Sequence, residues 1–145
     1  MAGADILIVE DNDLDVQILK RAFAKLDFQP NMLRAKDGVE ALELLDCQDA
    51  TGDLKWPFVI LLDLNMPRMN GVEFLEKLRG WGRYRHVPVF VLTTSSYGRD
   101  VAEAYRLGAN GYVVKPESLS EMHQTLQALI GYWRICLSPS ELAPA

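Results

Sequence analysis

Five residues that could do chemistry stand directly after apolar runs in this 145-residue sequence. They are three acids, a hydroxyl and an ammonium: Glu10, Asp11, Asp63, Thr93 and Lys115. Clustered carboxylates repel one another unless a cation lies among them, and oxygen ligands on a rigid edge suit Mg²⁺. A divalent metal, a lysine and a hydroxyl around a carboxylate are the parts that phosphoryl transfer requires, and the carboxylate can itself be the nucleophile. The residue types therefore predict an aspartyl-phosphate site, if the fold brings them together.

The apolar runs have the character of strands that are buried on both faces. They are short, continuous and partly β-branched, and they cover 6–9, 58–62, 87–92 and 111–114, with a weaker edge candidate at 32–35. Such runs are typical of a parallel sheet, whose strands all end at the same edge. Sites in open parallel sheets form beyond the carboxyl ends of the strands. The five residues are therefore expected to share one edge.

Apolar residues between the runs recur at three- and four-residue spacing, which predicts five helices. Asp13 is the expected N-cap of the first helix, with Leu14 on its apolar face. Tyr105 belongs to the apolar face of the fourth helix, which is expected to stop at Gly108, and Ser118 or Ser120 opens the fifth. Five strands alternating with five helices predict an α/β fold with right-handed crossovers.

Composition excludes several classes of function. The net charge of -5 counts against nucleic acid as a partner, because phosphate binding needs a basic patch. The sequence has no signal peptide and no apolar stretch long enough to span a membrane. Its two cysteines, Cys47 and Cys136, form neither a metal pattern nor a disulfide framework. A cytoplasmic, single-domain protein is the expectation.

Four motifs, in this order, resemble the receiver domain of two-component response regulators: ILIVED, ILLDLNMPRMNG, VFVLTTS and GYVVKP. Any one of them alone is a weak signal, but four at successive strand ends are specific. The resemblance covers about residues 5 to 133, so that 1–133 is expected to be the receiver domain and 134–145 a C-terminal tail. It implies a flavodoxin-like, doubly wound, five-stranded parallel sheet in the order 2-1-3-4-5 with five helices.

The resemblance also implies a role for each residue of the predicted site. Asp63 would accept a phosphoryl group from a sensor histidine kinase, and Lys115 would contact that group. Glu10, Asp11 and Asp63 would hold Mg²⁺, with the backbone carbonyl of Asn65 as a further ligand. The family often has Asp where this chain has Glu10. Because the reaction would modify only the protein itself, we do not expect a turnover enzyme.

Two residues would carry the response to phosphorylation. The resemblance makes Thr93 the switch hydroxyl and Tyr112 a rotating aromatic switch. The neighbouring Thr94 could be mistaken for Thr93, but Thr93 follows the apolar run directly, as the motif requires. An ordinary packing role for Tyr112 is the alternative.

A narrower resemblance rests on three features: a polar loop at 47–56, the LTTSS sequence after the fourth strand, and GYW near the end. Together they are similar to the single-domain regulators paired with bacterial and cyanobacterial phytochromes. This similarity implies a phytochrome-type kinase and a homodimer through the fourth helix, fifth strand and fifth helix. The apolar residues between Leu129 and Trp133 are expected to form a contact patch there, and closure of the core by Trp133 is the alternative.

Two other classes of protein compete with this interpretation. A phosphatase-like enzyme with an aspartyl nucleophile, resembling the haloacid dehalogenase family, would need a second acid two residues after Asp63. This chain has Asn65 there, which removes the general acid. A flavin or nucleotide binder would need a glycine-rich loop after the first strand, which the sequence lacks. Taken singly, Asp11 or Asp63 would be an ordinary helix cap or loop acid.

Overall fold

A single sheet of five parallel strands forms the centre of the computed structural model, which describes residues 5–26, 30–51 and 58–136. The strands are β1 Asp5–Val9, β2 Asn31–Ala35, β3 Phe58–Leu62, β4 Val89–Thr93 and β5 Gly111–Val114. Their order in the sheet is β2-β1-β3-β4-β5, and every neighbouring pair is parallel. The predicted flavodoxin-like architecture and strand order are confirmed.

Five helices cover the two faces of the sheet. They are α1 Asp13–Ala24, α2 Gly38–Thr51, α3 Gly71–Arg79, α4 Gly98–Arg106 and α5 Leu119–Ile135. One core lies between the sheet and helices α2, α3 and α4, and a second core lies between the sheet and helices α1 and α5. Within the described ranges, no helix has the length and apolar character needed to cross a bilayer.

The continuous apolar runs follow from this double covering. Successive side chains of a strand point to opposite faces. In β1, Ile6 and Ile8 therefore enter the α1/α5 core, whereas Leu7 and Val9 enter the α2/α3/α4 core. All four side chains are at most 1% exposed. A strand covered on one face only would alternate apolar with polar residues instead.

The start of α1 differs from the prediction. The N-cap is Asn12, whose side chain accepts a hydrogen bond from the backbone N–H of Asp15, and Asp13 is the first helical residue. Leu14 is 68% exposed rather than buried, because the buried stripe of α1 begins at Val16 and continues through Leu19. A first-turn residue at the end of the sheet has no strand beneath it to pack against.

The other helix boundaries agree more closely with expectation. Ser118 is the N-cap of α5, with its hydroxyl accepting a hydrogen bond from the N–H of Glu121. Helix α4 ends before Gly108, which takes a φ of 90° in the left-handed region that favours glycine. Tyr105 is half exposed and not part of the core; Ala104 is the buried residue of α4.

Two predicted irregular segments are partly helical. Helix α2 continues through Thr51, so the first half of the expected 47–56 loop is helix, and 52–56 lie outside the described residues. Helix α5 continues through Ile135, beyond the expected domain end at 133. Of the expected tail, 137–145 lie outside the described residues. Periodicity is a weak guide to helix ends, because the last turns carry little of the buried stripe.

Candidate functional site

The backbone of the site is an extension of the sheet ladder beyond the strand ends. The N–H of Asp63 donates to the carbonyl of Val9 at 3.0 Å, and the N–H of Lys115 donates to that of Thr93 at 2.7 Å. The N–H of Glu10 is bound in the same way from β2. The backbone of each of these residues is thus hydrogen-bonded to a neighbouring strand. This places all three side chains at the same edge of the sheet.

Three carboxylates meet at this edge. One oxygen from each of Glu10, Asp11 and Asp63 lies within 4.8 Å of the others. Glu10 and Asp63 are buried, and Asp11 is exposed. Burial raises the pKa of Glu10 to about 7, against a hydrogen bond from Lys115 that lowers it, and the charge of Asp63 raises it further. The hydrogen bond from Lys115 therefore does not fully offset the cost of burying the Glu10 carboxylate beside Asp63.

Lys115 is the cation within this group. Its Nζ donates to Glu10 Oε1 at 2.5 Å and to Asp15 Oδ2 at 2.8 Å, and it lies 3.8 Å from Asp63 Oδ2. Burial by itself would lower the pKa of Lys115, but the hydrogen bonds to Asp15 and Glu10 outweigh it and the pKa is raised. Lys115 is therefore an ammonium that faces Asp63 without a direct hydrogen bond to it.

An open cleft of about 590 Å³ gives access to these groups. Its walls include the three carboxylates, Lys115, Asn65 and Thr94. The clustered donors are carboxylate oxygens, which are ligands of hard divalent cations such as Mg²⁺. The residues present therefore fit a small oxygen-ligated cation.

The connection from β1 to α1 is held by hydrogen bonds from Arg34, a residue of β2. Arg34 donates from Nε to the backbone carbonyl of Glu10 at 3.0 Å and from Nη2 to Asp13 Oδ1 at 2.8 Å. The N–H of Asn12 donates to Glu10 Oε2 at 3.2 Å. The contacts of Arg34 and Asn12 with Glu10 set the position of Glu10.

The connection from β3 to α3, which carries Asn65, is clamped against α2. Arg68, in the left-handed region with φ 62°, donates to both carboxylate oxygens of Asp37 at 2.7 and 3.1 Å. The N–H of Gly38 donates to the carbonyl of Met69 at 3.0 Å, and a Cβ at Gly38 would lie 2.9 Å from that oxygen. Glycine is required at this close approach.

Comparison with known proteins decides the family. The model of the response regulator receiver domain matches residues 6–127. The chain belongs to that family. It is 33% identical to the chemotaxis protein CheY1 of Helicobacter pylori over 126 residues, covering 87% of this chain and 96% of that protein. It is 30% identical to the response regulator Rcp1 of Synechocystis over 128 residues, covering 88% and 87%.

Solved structures give the same result. The phosphorylated cyanobacterial phytochrome response regulator RcpA superposes with a TM-score of 0.85 at 30% identity, covering 95% of this chain and 99% of that one. The Mn²⁺-bound form of Rcp1 superposes with a TM-score of 0.80 at 30% identity, covering 92% of this chain and 97% of that one. The relatives thus include phytochrome response regulators, and one of them was solved with a divalent metal.

The two threonines at the end of β4 differ in access within this receiver domain. Thr93 is fully buried, and its Oγ1 has no hydrogen-bond partner among the described residues. Thr94, which the sequence analysis did not choose as the switch hydroxyl, lines the cleft. Tyr112 is half-buried, and its hydroxyl donates to the backbone carbonyl of Ser95 at 2.9 Å. Thr93 and Tyr112 therefore flank the same β4–α4 connection.

The expected apolar patch on α5 is divided by the structure. Ile130 and Trp133 are 5% and 6% exposed and belong to the α1/α5 core. Tyr132 is 59% exposed. Trp133 thus closes the core, as the alternative held, and is not a surface contact.

Sequence reasoning missed Asp15, which lies in the first turn of α1. The only signal for it is its place in the first turn of the predicted helix that follows the β1 strand end, close in sequence to Glu10 and Asp11. The Asp37–Arg68 pair was also missed, since its two residues lie far apart in sequence and only the packing of α2 beside the β3–α3 connection joins them.

Proposed function

We propose that this receiver domain accepts a phosphoryl group on Asp63 from a phosphohistidine of a sensor kinase and signals through the resulting change of surface. The observation that carries the proposal is the environment of Asp63. A buried carboxylate stands at the base of an open cleft, with an ammonium 3.8 Å away and two further acids beside it. Nucleophile, neutralising charge and a cation-binding oxygen set are thus within reach of one group.

In the proposed step, a carboxylate oxygen of Asp63 attacks phosphorus and the phosphorus–nitrogen bond of the donor breaks. The imidazole nitrogen keeps the electron pair and takes up a proton from solvent. The transferred phosphoryl group would lie between Asp63 and Lys115. Lys115 could then donate an N–H to one of its oxygens. Transfer of this kind depends on positioning and charge neutralisation, since the protein contributes little covalent chemistry beyond the nucleophile. Hydrolysis returns Asp63 to its first state, so the domain modifies itself and no separate substrate is turned over.

Glu10, Asp11 and Asp63 would hold Mg²⁺, with the carbonyl of Asn65 as a further ligand. When bound, the metal supplies positive charge that offsets the negative charge developing on the transferred group. The raised pKa of Glu10 supports this assignment, because burial beside other acids leaves that carboxyl short of compensating charge. Asp37, the other buried acid among the described residues, has its own arginine and needs no metal.

Thr93 and Tyr112 would transmit the change. The Thr93 hydroxyl is buried and has no hydrogen-bond partner in the part of the chain that the structure describes, so a phosphoryl oxygen on Asp63 would offer it one. Movement of Thr93 displaces the β4–α4 connection, to which the Tyr112 hydroxyl is bound through the carbonyl of Ser95. The surface of α4, β5 and α5 would change as a result.

Phosphorylation by a small-molecule donor tests the assignment of Asp63. The protein is incubated with acetyl phosphate and Mg²⁺ and its mass is measured. The parent and an Asp13→Asn control, which removes an acid of the same cleft, should gain one phosphoryl group. Asp63→Asn should gain none, because an amide is not a nucleophile here. A phosphorylated Asp63→Asn protein would refute the proposal.

The kinase would be of the phytochrome type, and the domain would act in the cytoplasm. The similarity to Rcp1 and RcpA supports the first point. The cysteines Cys47 and Cys136, neither of them in a disulfide, fit a reducing compartment. Transfer from a purified phytochrome-type histidine kinase should be faster than transfer from a chemotaxis-type kinase at equal concentration. Equal rates would remove the phytochrome assignment while leaving the receiver function intact.

A homodimer through α4, β5 and α5 would be one way in which the signal is read. These elements leave Tyr105 and Val114 50% and 47% exposed. Light scattering with beryllofluoride should show a dimer that Tyr105→Glu abolishes. Leu14→Glu is the control, because Leu14 is also a large, exposed apolar residue but lies on α1. If the parent protein is a monomer both with and without beryllofluoride, the proposed dimer is wrong.

A further inference from the structure

Among the ion-pair partners that Lys115 has within the described residues, Asp15 is the one that lies outside the three clustered carboxylates. We propose that Asp15 is a positioning residue that holds the Lys115 ammonium and, by its charge, limits how strongly Lys115 binds a phosphoryl group on Asp63. The inference rests on the proposed function, because it describes a regulator of that same site. It makes Asp15 a determinant of how stable the phosphorylated state is.

The geometry shows that Asp15 is fixed before it meets Lys115. Its backbone N–H donates to the side chain of Asn12 at 3.0 Å, as part of the cap of α1. The carboxylate therefore projects from a defined first turn, with 33% of the side chain exposed, onto a lysine whose side chain is 10% exposed. The pair joins α1 to the β5–α5 connection across the cleft. A second cavity, of about 320 Å³ between α1 and α5, is lined by both residues.

The hydrogen-bonding capacity of Lys115 is limited. An ammonium has three N–H donors. Glu10 takes one and Asp15 takes a second, so one remains for the group on Asp63. The 3.8 Å gap between Lys115 Nζ and Asp63 Oδ2 is too long for a hydrogen bond. Asp15 thus aims the remaining donor and at the same time shares its charge.

The charge of Asp15 acts against an incoming anion. A phosphoryl group on Asp63 adds negative charge to a site that already holds several carboxylates. Asp15 adds another charge at a partly buried position, where screening by water is incomplete. Replacing it by asparagine keeps an oxygen that accepts the Lys115 hydrogen bond and removes the charge. Anion binding at Asp63 should therefore become tighter.

Asp13 provides a matched control. It is an acid of the same helix turn and lines the same cleft. Its carboxylate is paired with Arg34 at 2.8 Å and not with Lys115. Asp13→Asn and Asp15→Asn change the net charge equally, so a difference between them reports the contact with Lys115.

The test is a titration with beryllofluoride, an analogue of the phosphoryl group, at saturating Mg²⁺, followed by ¹⁹F NMR. Asp15→Asn should lower the concentration for half-saturation by about three- to tenfold relative to the parent, and Asp13→Asn should leave it within about twofold. The advantage of Asp15→Asn should shrink as salt is added, which a purely structural effect would not do.

Two results would overturn the inference: equal affinities for the two variants, or weaker binding by Asp15→Asn. Lifetimes of the acetyl-phosphate product provide a second measurement and should rank the proteins in the same order. Failure of the proposed function is separate, since then the parent protein itself would bind no beryllofluoride and gain no phosphate.

Discussion

The two edges of the sheet use partly buried cations in opposite ways. At the carboxyl edge, Lys115 is surrounded by acids but does not reach Asp63. At the amino edge, Arg79, from the last turn of α3, donates to the backbone carbonyls of Val87 at 2.7 Å and Gly108 at 2.6 Å. It also donates to Arg85, so its guanidinium binds main chain before β4 and β5.

The two edges differ in how completely the polar groups around the cation are paired. At the amino edge, the donors of Arg79 are matched by backbone acceptors, and Asn110 accepts a further hydrogen bond from the N–H of Val89 at 2.9 Å. The carboxyl edge has a partnerless hydroxyl at Thr93 and more carboxylates than cations. Matched polar groups stabilise a fold, whereas unmatched ones cost stability and persist where a ligand completes them.

The largest effect on stability is expected at the amino edge, from Arg79. Arg79→Leu should lower the free energy of unfolding by about 2 kcal/mol, because several carbonyls lose a charged donor. Urea unfolding measures it. Lys77→Leu, an exposed cation of the same helix, is the control and should change little. Beryllofluoride binding by the folded Arg79→Leu protein should be unaltered; a matching loss of binding would mean that the two edges are not independent.

The next effect concerns the metal. At about 10 times its dissociation constant, Mg²⁺ should stabilise the parent by about 1.4 kcal/mol through binding linkage. Asp11→Asn should remove most of this increment and raise the melting temperature of the metal-free protein, because one repelling charge is gone. Thermal melting with and without Mg²⁺ measures both. Glu76→Gln, an exposed acid of α3, should keep the full increment.

Thr93→Val should stabilise the protein by about 1 kcal/mol, because it replaces a buried, partnerless hydroxyl with a methyl group. The same variant should lose the beryllofluoride-dependent change of surface. Urea unfolding gives the first quantity and light scattering the second. Thr93→Ser keeps the hydroxyl and is the matched control. A destabilised valine variant would show that the hydroxyl has a partner.

The smallest effect is a pH dependence at Asp37. Its hydrogen bonds from Arg68 hold the pKa of this carboxyl below its ordinary value. A lowered pKa in the folded state contributes stability above the unfolded value and loses it as pH falls. The stability difference between the parent and Asp37→Asn should therefore be larger at about pH 6 than at about pH 3. A difference independent of pH would contradict the ion pair.

The fold was predictable because its signals are local. Doubly buried strands such as 6–9 and 58–62 need unbroken apolar runs, and strand ends can be read from the residues that follow. Helix faces were less certain. Leu14 and Tyr105 fit an apolar period but are exposed, since periodicity gives a stripe without saying where the sheet ends beneath it.

Site residues were predictable where they follow strands and not where they come from elsewhere. Glu10, Asp63 and Lys115 are carried to one edge by topology alone. Asp15 and Asp37 are ordinary acids in the sequence, and their ion pairs depend on how α1 and α2 pack beside that edge.

The amino-acid sequence by itself determined the α/β class and the meeting of Glu10, Asp63 and Lys115 at one edge, because alternation of elements and the residues at strand ends are properties of the chain. The strand order came with the family resemblance that its motifs carry. Only the tertiary structure decided which of these groups are matched. Hydrogen-bond distances depend on how side chains pack across elements far apart in sequence. Lys115 is hydrogen-bonded to Asp15 and not to Asp63. The Thr93 hydroxyl is buried without a partner among the described residues.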